Sequence, residues 1–261
     1  MPEADWSRRS AVDVHDETAS IFAAEYSSDE VFDSPFRYGR SLIDRAWTQC
    51  VAGLPAQARC LDIGCGIGVY MARLLNAGHD VTGIEPSAEM RRLATEHVPA
   101  ALVSDGSVLD LQFETASHDF VYAIEVFRYL NAADNAAGHR EIARVLKPGG
   151  TYFGTYVNKW ALDGFRQVFA LRAAMARMRG AAPRYHAEFE TPTTIAEKLR
   201  AAGFSQVTVH GAMFAPLRII YKLAPHLAGR LARRTLPHEE AFSDRPSSRA
   251  FAGHLIAVAR R

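Results

Sequence analysis

Between Arg59 and Tyr156 short apolar runs alternate with segments of helical period, and this alternation restricts the fold more than any other feature of the chain. Arg59–Ile63 gives way to a glycine-rich turn, then to a helical pattern through Met71, Leu74 and Leu75, closed by Gly78. Asp80–Ile84 reads as a second strand, with Ser87 as N-cap of the helix behind it. Ala101–Ser104 and Phe120–Ile124 read as the third and fourth strands. The next helix carries Ile142, Val145 and Leu146, and Lys147-Pro148-Gly149-Gly150 ends it and turns the chain into a fifth strand, Thr151–Tyr156. Neighbouring parallel strands need a crossover, and a helix supplies one. Strand and helix at this pitch therefore predict a doubly wound α/β sheet of parallel strands. With 261 residues, 48% of them hydrophobic, the chain can bury one such core plus a lid.

The flanks are less regular. Met1–Ser20 is charged and polar, and residues 1–20 are expected to fray because they bury too little to offset the entropy of ordering. Residues 21–54 carry Phe22, Tyr26, Phe32, Phe36, Tyr38 and Trp47 and read as one or two cap helices of a single domain spanning 21–261. Trp160–Tyr185 interrupts the alternation as a long helical insertion. Thr193–Ala202 then reads as a helix, Gln206–His210 as a strand and Leu255–Ala259 as the last strand. Two lid segments, 157–190 and 211–250, follow from this division. Within them Arg166, Arg172, Arg177, Arg179 and Arg184, and then Arg218, Lys222, Arg230, Arg233 and Arg234, stand in stretches without an acid. They read either as solvated faces of lid helices or as a lid over an anionic or lipid-linked acceptor, with peripheral contact at a membrane surface.

Lys and Arg total 30 and Asp and Glu 29, so the net charge of +1 gives no general drive toward nucleic acid. Cys50, Cys60 and Cys65 have no metal-site spacing, and an odd count without a disulfide framework suits a reducing compartment. There is no apolar stretch of signal-peptide or bilayer-spanning length, and the expected location is the cytoplasm.

The chemistry is concentrated in Leu61-Asp62-Ile63-Gly64-Cys65-Gly66-Ile67-Gly68, directly after the first strand. Glycines there allow a sharp turn and let a ligand lie against the main chain. A dinucleotide site needs its third glycine where Val69 stands, and the Asp62 carboxylate would repel a pyrophosphate. The same carboxylate suits a cationic nucleoside without phosphate, which favours S-adenosylmethionine (SAM). Glu85, ending the second strand, can accept hydrogen bonds from both ribose hydroxyls, and Asp105 after the third strand can accept from an adenine amino group. Each feature alone also suits a tight turn or a solvated loop acid. Together, at strand C-termini, they point to one ligand site.

With LDIGCGIG, VTGIEPS, SDGSVLDLQF, HDFVYAIEVFRYL and EIARVLKPGG in this order, and TPTTIAEKLRAAGF later, the chain resembles the class I SAM-dependent methyltransferases, specifically the small-molecule group that includes the ubiquinone-pathway O-methyltransferases. The resemblance covers roughly Arg59 to His210. It implies a Rossmann-like sheet of seven strands, mostly parallel with the last antiparallel, and a SAM-binding core at 59–156. It further implies that Asp62, Gly64, Cys65, Gly66 and Gly68 surround the methionine end, that Glu85 and Pro86 hold the ribose, and that Met90, Asp105 and Gly106 meet the adenine. Ile124 and Glu125 would close the pocket. In similar enzymes an N-terminal arginine pairs with the SAM carboxylate, and Arg40 is preferred over Arg37 for this.

The acceptor is less legible, because methyl transfer mainly requires alignment and exclusion of water. The segment Glu125-Val126-Phe127-Arg128-Tyr129 lacks the Asn/Asp-Pro-Pro-aromatic run of enzymes that methylate base amino groups. Many relatives carry His where Tyr129 stands and an acid where Arg128 stands, so no metal site of that kind is expected. Tyr129, His186 and His210 are the candidate catalytic residues. A hydroxyl oxygen of a small molecule is the favoured acceptor atom. Methylation of nitrogen or carbon, of a lipid or glycan precursor, or a non-catalytic SAM-binding regulatory role are the alternatives.

Overall fold

The computed structural model describes residues 3–28, 30–180, 186–214, 216–243 and 245–261. Its strands are β1 Arg59–Ile63, β2 Asp80–Ile84, β3 Leu102–Ser104, β4 His118–Ala123, β5 Leu146–Val157, β6 Gln206–Ala212 and β7 His254–Arg260. The helices are α1 Glu3–Tyr26, α2 Pro35–Ala52, α3 Val69–Asn76, α4 Ala88–His97, α5 Ala132–Val145, α6 Phe165–Met178, α7 Pro192–Ala201, α8 Leu217–Leu223, α9 Pro225–Ser243 and α10 Pro246–Arg249.

The strands form one seven-stranded sheet in the order β3-β2-β1-β4-β5-β7-β6. β1 to β5 pair in parallel, and β7 runs antiparallel between β5 and β6. The expected Rossmann-like sheet, mostly parallel with an antiparallel last strand, is therefore what the chain forms. Alternation along β4 splits the core in two. Phe120 and Tyr122 enter a cluster with Trp47, Met71, Leu74 and Phe153, whereas Val121 and Ala123 enter one with Leu61, Ile63, Ile142 and Leu146. Burial on both faces explains why β1 and β4 read as continuous apolar runs.

α5 starts where Asn131 caps it, its side-chain oxygen accepting from the Ala133 and Asp134 backbone N–H groups at 2.9 and 3.0 Å. Asn131→Ala is expected to cost about 1 kcal/mol and lower Tm by roughly 2–4 °C, measured by calorimetric melting.

Three expectations are corrected. Residues 3–20, expected to fray, are helical as part of α1. Ala19 of α1 is buried against Ile67 and Met90, and the Asp16 carboxylate accepts from the Ser87 hydroxyl at 2.5 Å and the Glu89 N–H at 3.1 Å. Tertiary contact thus orders a segment whose own composition would not. Among the described residues of Trp160–Tyr185 the helix is α6: Gly164 (φ 86°) starts it and Gly180 (φ 71°) lies just past its end, both in the left-handed region. Arg184 and Tyr185 lie outside the described residues. Lys147–Gly150, expected as a turn, belongs to β5, where it takes up a register shift against β4.

Candidate functional site

Above the carboxyl ends of β1, β2 and β4, where strand order reverses between β1 and β4, lies a cavity of about 650 Å³. That is within the range of roughly 300–1,000 Å³ for small-molecule sites. The glycine turn forms its floor. Gly64 (φ 69°) and Gly66 (φ 55°) are left-handed, and Ile84 O accepts from the Gly64 and Cys65 N–H groups. A Cβ on Gly64 would stand 2.6 Å from Val126 Cγ2.

Glu85 projects from the end of β2 into the cavity wall. Its two oxygens accept from the Gly66 and Ser87 N–H groups, each at 2.9 Å. A carboxylate anchored twice keeps further lone pairs for a ligand. Burial raises its pKa, against the pull of those two N–H groups. On the side formed by α1 and α2, the Arg40 guanidinium stacks 3.6 Å from the Tyr26 ring centre and 4.8 Å from that of Tyr70. Its Nη2 is buried without a hydrogen-bond partner. Asp62, beneath the turn, has one carboxylate oxygen in the same condition. Burial pushes its pKa up to about 8, with Glu85 adding to the rise and Tyr122 and Arg40 opposing it. An unpartnered cationic donor in the cavity wall and an unpartnered carboxyl oxygen buried behind the adjoining turn are the set that a carboxylate and an ammonium would complete.

Most of the expected cofactor residues meet in this wall: Arg40, Gly64, Gly66, Glu85, Pro86, Met90, Gly106, Ile124 and Glu125. Asp62, Cys65, Gly68 and Asp105 do not line it. Asp62 and Cys65 are buried behind the turn. Gly68 (φ 79°) faces α4, where a Cβ would meet Val98 Cγ2 at 2.4 Å. Asp105, expected at the adenine, leaves its side chain 75% exposed and paired with Arg91 at 3.1 Å, while Gly106 and Ser107 take the wall. Arg37 is held by Glu25 and Ser28 away from the cavity.

Of the catalytic candidates, Tyr129 lines the cavity, edge-on to His15 of α1 at 5.1 Å. His186 and His210 do not. His186 pairs with Glu188 at 3.1 Å, and His210 lies on β6, separated from β5 by β7. Sequence reasoning missed His15, Tyr70, Phe165 and His254 as site residues, and had Tyr26 only as a cap aromatic and Arg218 only as one of several lid arginines; all six are in the wall. His15 was hidden in a segment read as frayed, and His254 begins a strand with no motif around it.

His254 belongs to a polar cluster at the end of the cavity away from Glu85. Glu125 has φ 62°, a strained value for a residue with a Cβ, and its N–H donates to Thr155 Oγ1 at 2.7 Å. Its carboxylate meets Arg128 Nη1 at 2.7 Å and His254 Nδ1 at 3.3 Å. Burial alone would raise the Glu125 pKa, yet His254 and Arg128 together hold the group well below the ordinary carboxylate range. Arg218 of α8 donates to His254 Nε2 and pairs through Nε with the buried Asp163 at 2.6 Å.

Residues 61–154 match the family described as a methyltransferase domain. The ubiquinone biosynthesis O-methyltransferase of Xanthomonas axonopodis pv. citri is 32% identical over 173 residues, covering 63% of this chain and 70% of that protein. The chain belongs to the SAM-dependent methyltransferases. A SAM-dependent methyltransferase from Thermotoga maritima superposes with a TM-score of 0.60 at 16% identity, over 95% of this chain and 98% of the other. A phosphoethanolamine N-methyltransferase of Haemonchus contortus, solved with S-adenosylhomocysteine, gives 0.57 at 18% over 82% and 52%. This methyltransferase uses SAM as its methyl donor. Among its described residues no helix is long and apolar enough to cross a membrane.

Proposed function

We propose that the enzyme methylates a hydroxyl oxygen of a small molecule, and that the cavity holds SAM across the glycine turn with its methyl directed at the Glu125–His254 end. The observation that carries this is the buried, unpartnered Arg40 Nη2 standing across the turn from the doubly anchored Glu85. Arg40 pairs with the SAM carboxylate and Asp62 draws its ammonium. Gly64 and Gly66 let the backbone approach, Glu85 and Pro86 hold the ribose, Met90 and Gly106 flank the adenine, and Ile124 with Glu125 closes the pocket. Residues 59–156 are then the cofactor core, and α1, α6 and α8 shut out water. SAM brings the electrophilic methyl and its own leaving group. Oxygen as the acceptor atom is supported by the names of the curated relatives and by the histidine–carboxylate pair in the wall. The test is incubation with methyl-labelled SAM and catechol, 3,4-dihydroxybenzoate or 4-octylcatechol, with aniline as the nitrogen counterpart. Label on oxygen is expected, and label on nitrogen alone would overturn the reading.

Asp62 gives a pH-linked prediction. Its folded pKa of about 8 exceeds the ordinary 3.8, so its contribution to stability is complete below pH 4 and is lost as pH rises through about 8. At pH 6.5 the free enzyme therefore holds Asp62 protonated. A bound ammonium favours the carboxylate and expels that proton. Titration of SAM at pH 6.5 in buffers of different ionisation enthalpy is expected to show release of about one proton. Asp62→Asn should abolish the release.

A lipid-linked or anionic acceptor is the more specific reading. Arg128 and Arg218 stand at the acceptor end, and the basic helices α6 and α8 carry exposed Leu171, Met178 and Leu223. The expected result is co-sedimentation with anionic but not neutral vesicles at low salt, together with a lower KM for 4-octylcatechol or 3,4-dihydroxybenzoate than for catechol. Absence of both effects would leave only a simple neutral acceptor.

A further inference from the structure

We propose that His254 takes the proton from the hydroxyl being methylated, with Glu125 and Arg218 as its positioning residues. The proposal rests on the hydroxyl reading above and assigns its base.

The cavity wall holds two histidines among the described residues, His15 and His254. His15 sits on the cofactor side, its Nδ1 2.7 Å from Ala11 O of its own helix and its charge felt by Glu85. His254 stands at the other end and is oriented from both sides. Arg218 has only donors, so its contact with Nε2 makes that nitrogen the acceptor. The proton of the neutral ring then lies on Nδ1, which stands 3.3 Å from Glu125 Oε1 without a formed hydrogen bond. A carboxylate beside Nδ1, with Nε2 in the cavity wall and held by Arg218 until a hydroxyl replaces it, is the arrangement of a base that will carry positive charge after taking a proton.

Every charged group around the ring fits this role. Glu125 and Arg128 come from the segment after β4, Asp163 from the loop after β5, and Arg218 from α8. The α2 side brings no charge: it presents Gly39, where a Cβ would stand 2.7 Å from Met213 Cε and 4.0 Å from Nε2. Phe165 lies between the guanidinium carbons of Arg128 and Arg218, at 4.6 and 5.0 Å from its ring centre, and roofs the cluster. Arg218 is tethered through Nε to Asp163, so Nη2 can yield Nε2 to an incoming hydroxyl while its charge stays beside the oxygen. In the step, the hydroxyl proton passes to Nε2, an oxygen electron pair forms the C–O bond, and the methyl–sulfur bond breaks with its electrons on sulfur, leaving S-adenosylhomocysteine. The imidazolium, neutralised by Glu125, then returns its proton to solvent.

The test uses the full chain and catechol. His254→Gln is expected to lower kcat by about 10²–10⁴-fold, the usual share of a general base, with SAM affinity by calorimetry unchanged within about twofold. The pH profile of wild-type kcat should carry an inflection that His254→Gln lacks, and added imidazole should restore rate to His254→Ala. A positional role alone would lower kcat while keeping the inflection and giving no rescue. Nitrogen-15 spectra, assigned by the signal lost in His254→Gln, should show the Nδ1–H tautomer in the free enzyme. Wild-type kcat in His254→Gln, an unchanged pH profile, or an Nε2–H tautomer would each overturn the proposal. Wild-type enzyme that binds SAM but labels no catechol oxygen would overturn the hydroxyl reading itself, and the assignment of a base with it.

Discussion

Arg40→Met is expected to weaken SAM binding by roughly 10- to 150-fold, the equivalent of about 1.5–3 kcal/mol for a hydrogen bond to a charged partner. The guanidinium is preset. Tyr26 and Tyr70 hold its plane, Nη2 is buried with no partner, and its distance of 3.9 Å from Asp44 leaves it weakly paired within the protein. A ligand carboxylate would therefore gain a rigid, desolvated donor at little ordering cost. Stability should hardly change, because Asp44 keeps the Tyr70 hydroxyl at 2.7 Å and Arg73 at 3.2 Å. Arg40→Lys should recover only part of the affinity, since an ammonium neither stacks nor forks. Arg37→Met is the control: its partners are Glu25, Ser28 and the Glu30 carbonyl, outside the cavity, and affinity should stay as in the wild type. Calorimetric titration of SAM into the three variants decides the matter. Equal affinity for wild type and Arg40→Met would remove the carboxylate end from this side of the cavity.

What the sequence disclosed and what it hid follow from how far each signal reaches along the chain. The parallel core of the sheet was legible because β1, β2 and β4 are largely buried and their apolar runs cannot be mistaken for solvated loops. Glu85 and the Gly64–Gly66 turn were legible for a similar reason: each is fixed by neighbours within its own strand–turn–helix unit. Asp105 misled because adjacency along the chain does not set the direction of a side chain. Gly106 turns into the wall while Asp105 turns out to Arg91. The acceptor end was hidden because it is assembled from four separated places: Glu125, Asp163 with Phe165, Arg218 and His254. No local spacing announces such a set. The helix α1 was hidden because the contacts that order it belong to α4 and the glycine turn, not to its own sequence.

Gly68 separates stability from cofactor binding within the glycine motif. Gly68→Ala is expected to destabilise the enzyme by about 2–5 kcal/mol, the sum of a left-handed backbone with a Cβ and an overpacked contact. Both components are visible: φ is 79°, and the new Cβ would stand 2.4 Å from Val98 Cγ2 and 3.6 Å from Ala94 Cβ. For a chain of this size the fall in Tm is roughly 5–15 °C. The Val98→Ala background separates the two components. It relieves the contact but not the dihedral, so Gly68→Ala made there should cost only the backbone share, about 1–2 kcal/mol. The excess in the native background is the contact between α3 and α4. Because Gly68 faces α4 rather than the cavity, SAM affinity measured well below the melting transition should stay within about threefold of the wild type, which corresponds to less than about 1 kcal/mol. A Gly68→Ala enzyme that melts as the wild type but loses SAM would place this glycine against the ligand, and the packing account of the third glycine would be wrong.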